Sequence, residues 1–524
     1  MWVGSAAVVA IAFGIAAGVA LVAWPHVRLG GGGDELAGVV LPRFAGRVVA
    51  TRVLARNGVP VPVVLRHGKL WPVRKLAGGE RLTVELTVRR PRWAGWLVGR
   101  TEQRSFAIET PIARLRGRWL QVKAGAPVTV AFDAPVSVVS LGKEPPLRLA
   151  KPRALVSTGV VARGSNSAGS IEVAAAARSW EQPAAPVRVS WFPARPFPQL
   201  LAQPRSGAVV APTRQLVLTF SRPVEDVLGA RRPQLSPAVS GRWRLLDAQT
   251  LAFRPSGLGF PLGTRVRVAL PHAVQLAGQT GASLTRALNW QVRPGSTLRL
   301  QQLLAELGYL PLSWQSAGAA PSSARAQLAA AVAPPPGRFS WRYPNSPAEL
   351  QALWSPGEPN QITRGAVMMF EHDHDLAVDG IAGPRVWRQL LADAIAGKRR
   401  EDGYSYVYVH RNVPQSLNLW HNGQTILSSP GNTGVPAAPT QLGTFPVFEH
   451  IPVGTMSGTN PDGSHYDDPG IRYISYFHGG DAIHAFNRAS FGTPQSLGCV
   501  ELPLSAAARV WPYTPIGTLV TIEN

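Results

Sequence analysis

Cys499 is the single cysteine of the chain, and it stands in Ser496-Leu497-Gly498-Cys499-Val500, fifteen residues after His484. A thiol attacks an acyl carbon as thiolate, and a free cysteine is only a few per cent thiolate at neutral pH. It needs a base that takes its proton and later hands one to the leaving amine. Histidine suits that task because its pKa lies near operating pH. The candidates nearest in sequence are His484 and His478, in His478-Gly479-Gly480-Asp481-Ala482-Ile483-His484. Gly498 permits close backbone approach, and the amides around Gly498 and Cys499 could face a developing oxyanion. A lone cysteine forms no internal disulfide and supplies no cysteine-based zinc or iron–sulfur site. On residue types alone it is a nucleophile or a buried bystander.

The surrounding motifs favour the nucleophile. Residues 403–524 carry Pro439-Thr440, Gly443-Thr444-Phe445, Gly479-Gly480, Ile483-His484, Gly492, Pro494, Ser496, Gly498-Cys499-Val500 and a closing Gly517-Thr518 with Ile522. In order and spacing these resemble the mainly-β catalytic domain of the L,D-transpeptidases (YkuD type), bacterial cell-wall enzymes. The resemblance implies that Cys499 is the nucleophile and His484 the general acid/base. It also implies that the Gly498 and Cys499 amides help build the oxyanion hole and that Ser496 shapes the nucleophile loop. His478, Gly479 and Gly480 would border the substrate cleft.

The implied reaction is a two-step acyl transfer on peptidoglycan tetrapeptide stems, giving 3→3 cross-links. With water as acceptor it becomes an L,D-carboxypeptidase; a protein acceptor would make it a wall-attachment enzyme. A catalytically lapsed, wall-binding structural protein is the reading from another class. None of these requires a metal or organic cofactor. Three departures from the family pattern stand out. Leu497 occupies the usual histidine position, Ala485 follows the base where a serine could orient it, and Glu501 stands where Arg or Asn is common. With Ala485, a backbone carbonyl would have to hold the second imidazole nitrogen.

Before this domain the texture is helical. Leu298–Leu312 has apolar residues at helical spacing, with Gly308-Tyr309 as its end. Thr363–His374 reads as a second helix with Thr363 as N-cap, and Val386, Trp387, Leu390 and Leu391 mark a third. With Asp379-Gly380 and Gly383-Pro384, residues 298–396 resemble the three-helix peptidoglycan-binding repeat, interrupted by an insert at 313–359. The run Glu371-His372-Asp373-His374-Asp375 invites a metal reading, but a polar helix end is the stronger one, because only residues three or four apart share a helical face.

Between residues 36 and 294 short β-branched runs recur between Pro and Gly turns. We divide them into β-rich domains at 36–114 and 115–193, a linker at Pro193–Pro204, and a unit at 206–294. Their pattern is similar to bacterial Ig-like sandwiches. The expected fold class is therefore multidomain: all-β sandwiches first, a small helical module, then the catalytic domain.

Residues 1–27 hold no charged side chain, enough apolar chain for a signal segment or transmembrane anchor. The Gly30–Gly33 run that follows reads as a flexible exit. The expectation is an exported chain of the cell envelope, held to the membrane by this helix. The chain carries a formal +23, yet residues 26–300 are net +27 and residues 301–524 net −4. The basic part suits an anionic surface; it has no basic run and no nucleic-acid motif, so nucleic acid is not an expected partner.

Overall fold

The structure, a computed structural model, describes residues 24–164, 167–271, 274–277 and 287–524. These fall into two compact units, one of residues 24–201, 219–223 and 274–277, the other of 202–218, 224–271 and 287–524.

The first unit is built of strands. Arg47–Ala55, Arg81–Arg89 and Thr101–Glu109 form an antiparallel three-stranded sheet. Leu82, Val84, Leu86 and Val88 point inward at every second position, as a strand with one buried face requires. Arg28–Gly30 pairs with Ala37–Val40, so the Gly30–Gly33 run bends a hairpin where a flexible exit was expected. A five-stranded sheet follows, ordered Leu147–Val161, Pro127–Leu141, Gly169–Ala176, Val187–Pro193, Trp119–Val122. The expected linker at Pro193–Pro204 contains the strand Gln199–Gln203. The expected membrane segment lies, up to residue 23, outside the described residues. Trp24 and Val27 belong to the folded unit: Val27 is buried, and the Trp24 ring meets Trp93 at 5.7 Å. Among the described residues no helix is long and apolar enough to cross a membrane.

The second unit opens with further strands. Val209–Val210, Ala287–Val292, Arg265–Ala269 and Leu235–Ser236 make one sheet, and Gly241–Asp247 pairs with Thr250–Pro255 in a hairpin. Helices then take over: α1 (Thr297–Glu306), α2 (Ala324–Val332), α3 (Ala348–Ala352), α4 (Gln361–Asp373) and α5 (Pro384–Ala396). Helix α1 starts at Ser296, whose side chain accepts the Arg299 amide. Helix α4 starts two residues before the expected position. Its N-cap is Asn360, which accepts both the amide and the hydroxyl of Thr363, so Thr363 sits inside the first turn. The 313–359 insert is folded. Strands β1 (Leu312–Ser316) and β2 (Gly337–Trp341) pair, and Phe339 meets Trp314 at 4.7 Å and Trp354 at 5.0 Å.

The acidic–histidine run at the end of α4 is spent on structure. Glu371 Oε2 accepts the Asp379 and Gly380 amides, His374 Nε2 lies 2.7 Å from Asp393, and Asp373 pairs with Arg400 at 3.2 Å.

The last 120 or so residues contain two sheets. One has the order β5 (Gln424–Pro430), β4 (Ser416–His421), β3 (Ser405–His410), β11 (Leu519–Glu523), β6 (Gly443–Pro446). The other runs β7 (Glu449–Thr459), β8 (His465–His478), β9 (Asp481–Ala485), β10 (Val500–Leu502). Helix α6 (Leu504–Val510) follows β10. Strand β3 shows how the first sheet is held. Val407 and Val409 enter the core shared with Leu417, Ile483, Val500 and Val520. On the other face Tyr406 joins Trp420 and Leu519 in the core of the helices, with Phe370, Trp387 and Leu390. The helical module thus forms one wall of the catalytic sheet. Gly365 of α4 and Gly517 before β11 meet backbone to backbone, and the insert adds a bond from Trp420 Nε1 to the Asn345 carbonyl at 2.9 Å.

Candidate active site

The second sheet positions the site. Strands β9 and β10 run parallel, with Ile483 beside Val500, His484 beside Glu501 and Ala485 beside Leu502. Cys499 immediately precedes β10, so the register carries it to the same face as His484, one pleat towards the strand starts. The parallel pairing is possible because residues 486–499 make the crossover that antiparallel neighbours would not need.

The loop that carries Cys499 is shaped from within. Ser496, buried, donates its hydroxyl to the Cys499 carbonyl at 2.6 Å and receives the Gly498 amide at 3.3 Å. Gly498 has φ +119°, and a Cβ there would run into the Asp481 carboxylate. Only glycine meets both demands. Cys499 is partly buried. Its Sγ donates to the Gly480 carbonyl at 3.7 Å, beside the Ala482 amide. Burial pushes the thiol up to about 12, with the Asp481 and Glu501 carboxylates adding to the rise and the Ala482 amide opposing it.

His484 is 3% exposed. Its Nδ1 lies 3.0 Å from the Ala485 carbonyl. A carbonyl only accepts, so Nδ1 carries the proton and Nε2 keeps its lone pair. Burial lowers the imidazole pKa against the opposing pull of that carbonyl. Both shifts favour the neutral forms, thiol and imidazole.

The other expected residues lie at the β8–β9 turn. His478 is exposed, packs on Phe445 at 4.6 Å and lies 3.6 Å from Asp481. Gly479 adopts φ +52° within the turn; it and Gly480 are exposed, with Gly480 touching the thiol through its carbonyl.

Sequence reasoning missed five further residues of the site, Met456, Tyr466, Tyr476, Asp481 and Arg488. Residues 452–470, whose Gly, Asp and Asn content reads as a polar loop, lie in the paired hairpin β7–β8. From it Met456 and Tyr476 join the cluster that Cys499 packs against, and burial raises the pKa of Tyr466 and Tyr476, with Cys499 adding to the rise. Asp481, whose pKa is raised by burial, abuts Gly498. Arg488 clasps Glu501 with two bonds, Nε to Oε2 at 2.8 Å and Nη2 to Oε1 at 2.6 Å, and reaches the Gln495 carbonyl at 3.1 Å. The odd acid at position 501 was the available signal, because a buried carboxylate needs a cation. Among the described residues no cluster of His, Cys, Asp and Glu is arranged to hold a metal.

Residues 404–522 match the family model of YkuD, the L,D-transpeptidase catalytic domain. No curated protein matches the chain. Among solved structures, the catalytic domain of an E. faecium L,D-transpeptidase is 26% identical, covering 24% of this chain and 98% of that one, with a TM-score of 0.21. An L,D-transpeptidase from Mycobacterium smegmatis is 12% identical, covering 62% of this chain and 99% of that one, also at 0.21. L,D-transpeptidase 3 from Mycobacterium tuberculosis is 12% identical over 62% of this chain and 98% of its own, at 0.21. Residues 404–522, with His484 on β9 and Cys499 just before the adjoining β10, are an L,D-transpeptidase catalytic domain of the YkuD type.

Proposed function

We propose that this domain forms 3→3 peptidoglycan cross-links by cysteine acyl transfer in the cell envelope. L,D-transpeptidases act on peptidoglycan, and the observation that carries the assignment of roles is the bond from His484 Nδ1 to the Ala485 carbonyl, which frees Nε2 as base. The Cys499 thiol gives its proton to His484 Nε2 as sulfur attacks the carbonyl carbon of the third stem residue. The C–N bond to the terminal D-Ala breaks, and the imidazolium returns the proton to the leaving amine. The thioester is then attacked by a side-chain amine of a second stem, which loses its proton to His484 as sulfur leaves. With the Gly498 amide turned to Ser496, the Cys499 amide is the better-placed donor to the oxyanion.

The helical module, residues 298–396, is the proposed wall-binding part, and the preceding strands are proposed Ig-like spacers. The apolar run before Trp24 is the proposed membrane anchor. Sequence pattern supports all three.

The test is mass spectrometry of products from a defined tetrapeptide. Wild-type protein with donor and acceptor stems should release D-Ala and give a cross-linked dimer, and Cys499→Ala should give neither. Tripeptide without dimer would reassign the domain as a carboxypeptidase. Dimer formation by Cys499→Ala would sink the proposal.

A further inference from the structure

The first unit gathers large aromatic side chains at one place and leaves them uncovered. The connection between Arg81–Arg89 and Thr101–Glu109 folds as a 3-10 turn, Arg92–Ala94, and one helical turn, Gly95–Val98. Its small residues face inward, since Ala94 and Val98 are buried. Its large ones face out: Trp93 is 62% exposed and Trp96 74%. Core packing alone would choose the reverse. Beside it lies the turn at 42–46, whose Phe44 is 66% exposed and 6.2 Å from the Trp93 ring. Phe44 holds φ +69°, the left-handed region that a bulky side chain rarely adopts. Gly46 keeps the turn close, because a Cβ there would meet the Arg89 carbonyl. A strained backbone that shows an aromatic ring to solvent, in a patch of such rings, points to a partner.

Two features identify that partner. The first is where the chain comes from. Trp24 follows directly on the apolar run and meets the Trp93 ring at 5.7 Å. His26 Nδ1 lies 2.7 Å from Glu102, on the strand that leaves the connection. The end of the apolar run is therefore fixed to the aromatic patch. The second feature is charge. Segments 41–47 and 89–100 carry Arg43, Arg47, Arg89, Arg90, Arg92 and Arg100 and no acidic residue. Glu102, the acid nearest to them in sequence, is buried and taken up by His26, Arg90 and Arg104. Tryptophan rings among arginines suit the headgroup level of an anionic bilayer.

We propose that Phe44, Trp93 and Trp96 insert into the headgroup region of an anionic phospholipid bilayer, with the exposed arginines around them on its phosphates. The first unit then stands on the membrane beside the run that precedes Trp24. The proposal rests on the reading of that run as a membrane anchor and adds a second, separately removable contact.

The full chain in vesicles of phosphatidylcholine and phosphatidylglycerol with brominated acyl chains tests it. Cys499→Ala removes the single cysteine, and Trp96→Cys or Leu155→Cys then accepts a bimane label. Leu155 is exposed on the five-stranded sheet of the same unit. The label at 96 should be quenched at least about twofold more than the label at 155. Arg43→Gln, Arg47→Gln, Arg92→Gln and Arg100→Gln together should bring it down to the level at 155, since each arginine is worth roughly fivefold at an anionic surface. All four are exposed, so this variant should keep the parent's melting temperature. Flotation of the same samples separates the proposal from the anchor. Flotation without excess quenching at 96 would keep the anchor and overturn the proposal. Flotation that requires phosphatidylglycerol, with quenching at 96, would keep the proposal and overturn the anchor. No flotation would overturn both. Equal quenching at the two positions, with cross-linking of two chains through position 96, would give the patch to a second copy and overturn the proposal.

Discussion

His484 owes its working tautomer to the carbonyl of the next residue, so no second side chain is needed to orient it. This removes the difficulty raised by Ala485. It also sets a pH signature. The imidazole pKa is depressed by burial, so the base is lost only as pH falls through a value below its ordinary 6.5. The acid limb of kcat/KM should therefore lie below pH 6.5. Because the thiol is pushed up to about 12, iodoacetamide labelling of the free protein should climb roughly tenfold per pH unit between pH 6 and 9. A plateau within that range would contradict a neutral resting thiol. The Arg488–Glu501 clasp makes a separate prediction. Glu501 is 3% exposed, while Arg488 keeps some solvent. Arg488→Ala should cost about 3 kcal/mol, the low end for breaking a buried pair, by leaving a buried carboxylate unpaired. Adding Glu501→Gln should recover most of it in denaturant unfolding, and identical losses in single and double variants would rule this account out.

At the scale of elements, the contact between α4 and the loop before β11 is the most sensitive to substitution. Alanine normally stabilises a helix relative to glycine by about 1 kcal/mol. At Gly365 the added methyl would meet the Gly517 carbonyl and Leu519 Cδ2, and backbone cannot rotate away. Overpacking should win, so Gly365→Ala is expected to destabilise the protein by about 1–3 kcal/mol, seen as a fall in melting temperature. An unchanged or raised value would show that the two segments separate freely. This closeness was not legible in the sequence. The alternation of Tyr404-Ser-Tyr-Val-Tyr-Val marked β3 as a strand, and the Asn422-Gly423 turn marked its hairpin. Alternation cannot say that the tyrosine face meets helices and the valine face meets the second sheet. The stretch 452–470 went the same way: its Gly, Asp and Asn residues read as a loop, whereas pairing between β7 and β8 overrides local preference. Cys499, His484 and Ser496 were legible because their motif is local in sequence. Arg488, Asp481, Tyr466 and Tyr476 join the site through strand register, which a single sequence does not reveal.

For the whole molecule, charge is divided along the chain. Net +27 in residues 26–300 precedes a slightly acidic remainder. Binding of the full chain to an anionic wall polymer should therefore be strong at low ionic strength and largely abolished by about 0.5 M salt, where screening acts within a few ångströms. Retention at that salt concentration would mean that specific contacts outweigh the field. The sheet with two buried faces bears on how such a chain can be inherited. The matched stretch begins at residue 404, yet Tyr406, Trp420 and Leu519 share a core with residues of α1, α4 and α5, and Trp420 also meets Tyr343 of the insert. A recombination that moved the catalytic stretch without those helices would deliver a sheet with one oily face open to water. Exchange between relatives is thereby constrained to cut upstream of α1, and the heritable module is larger than the one that carries the chemistry.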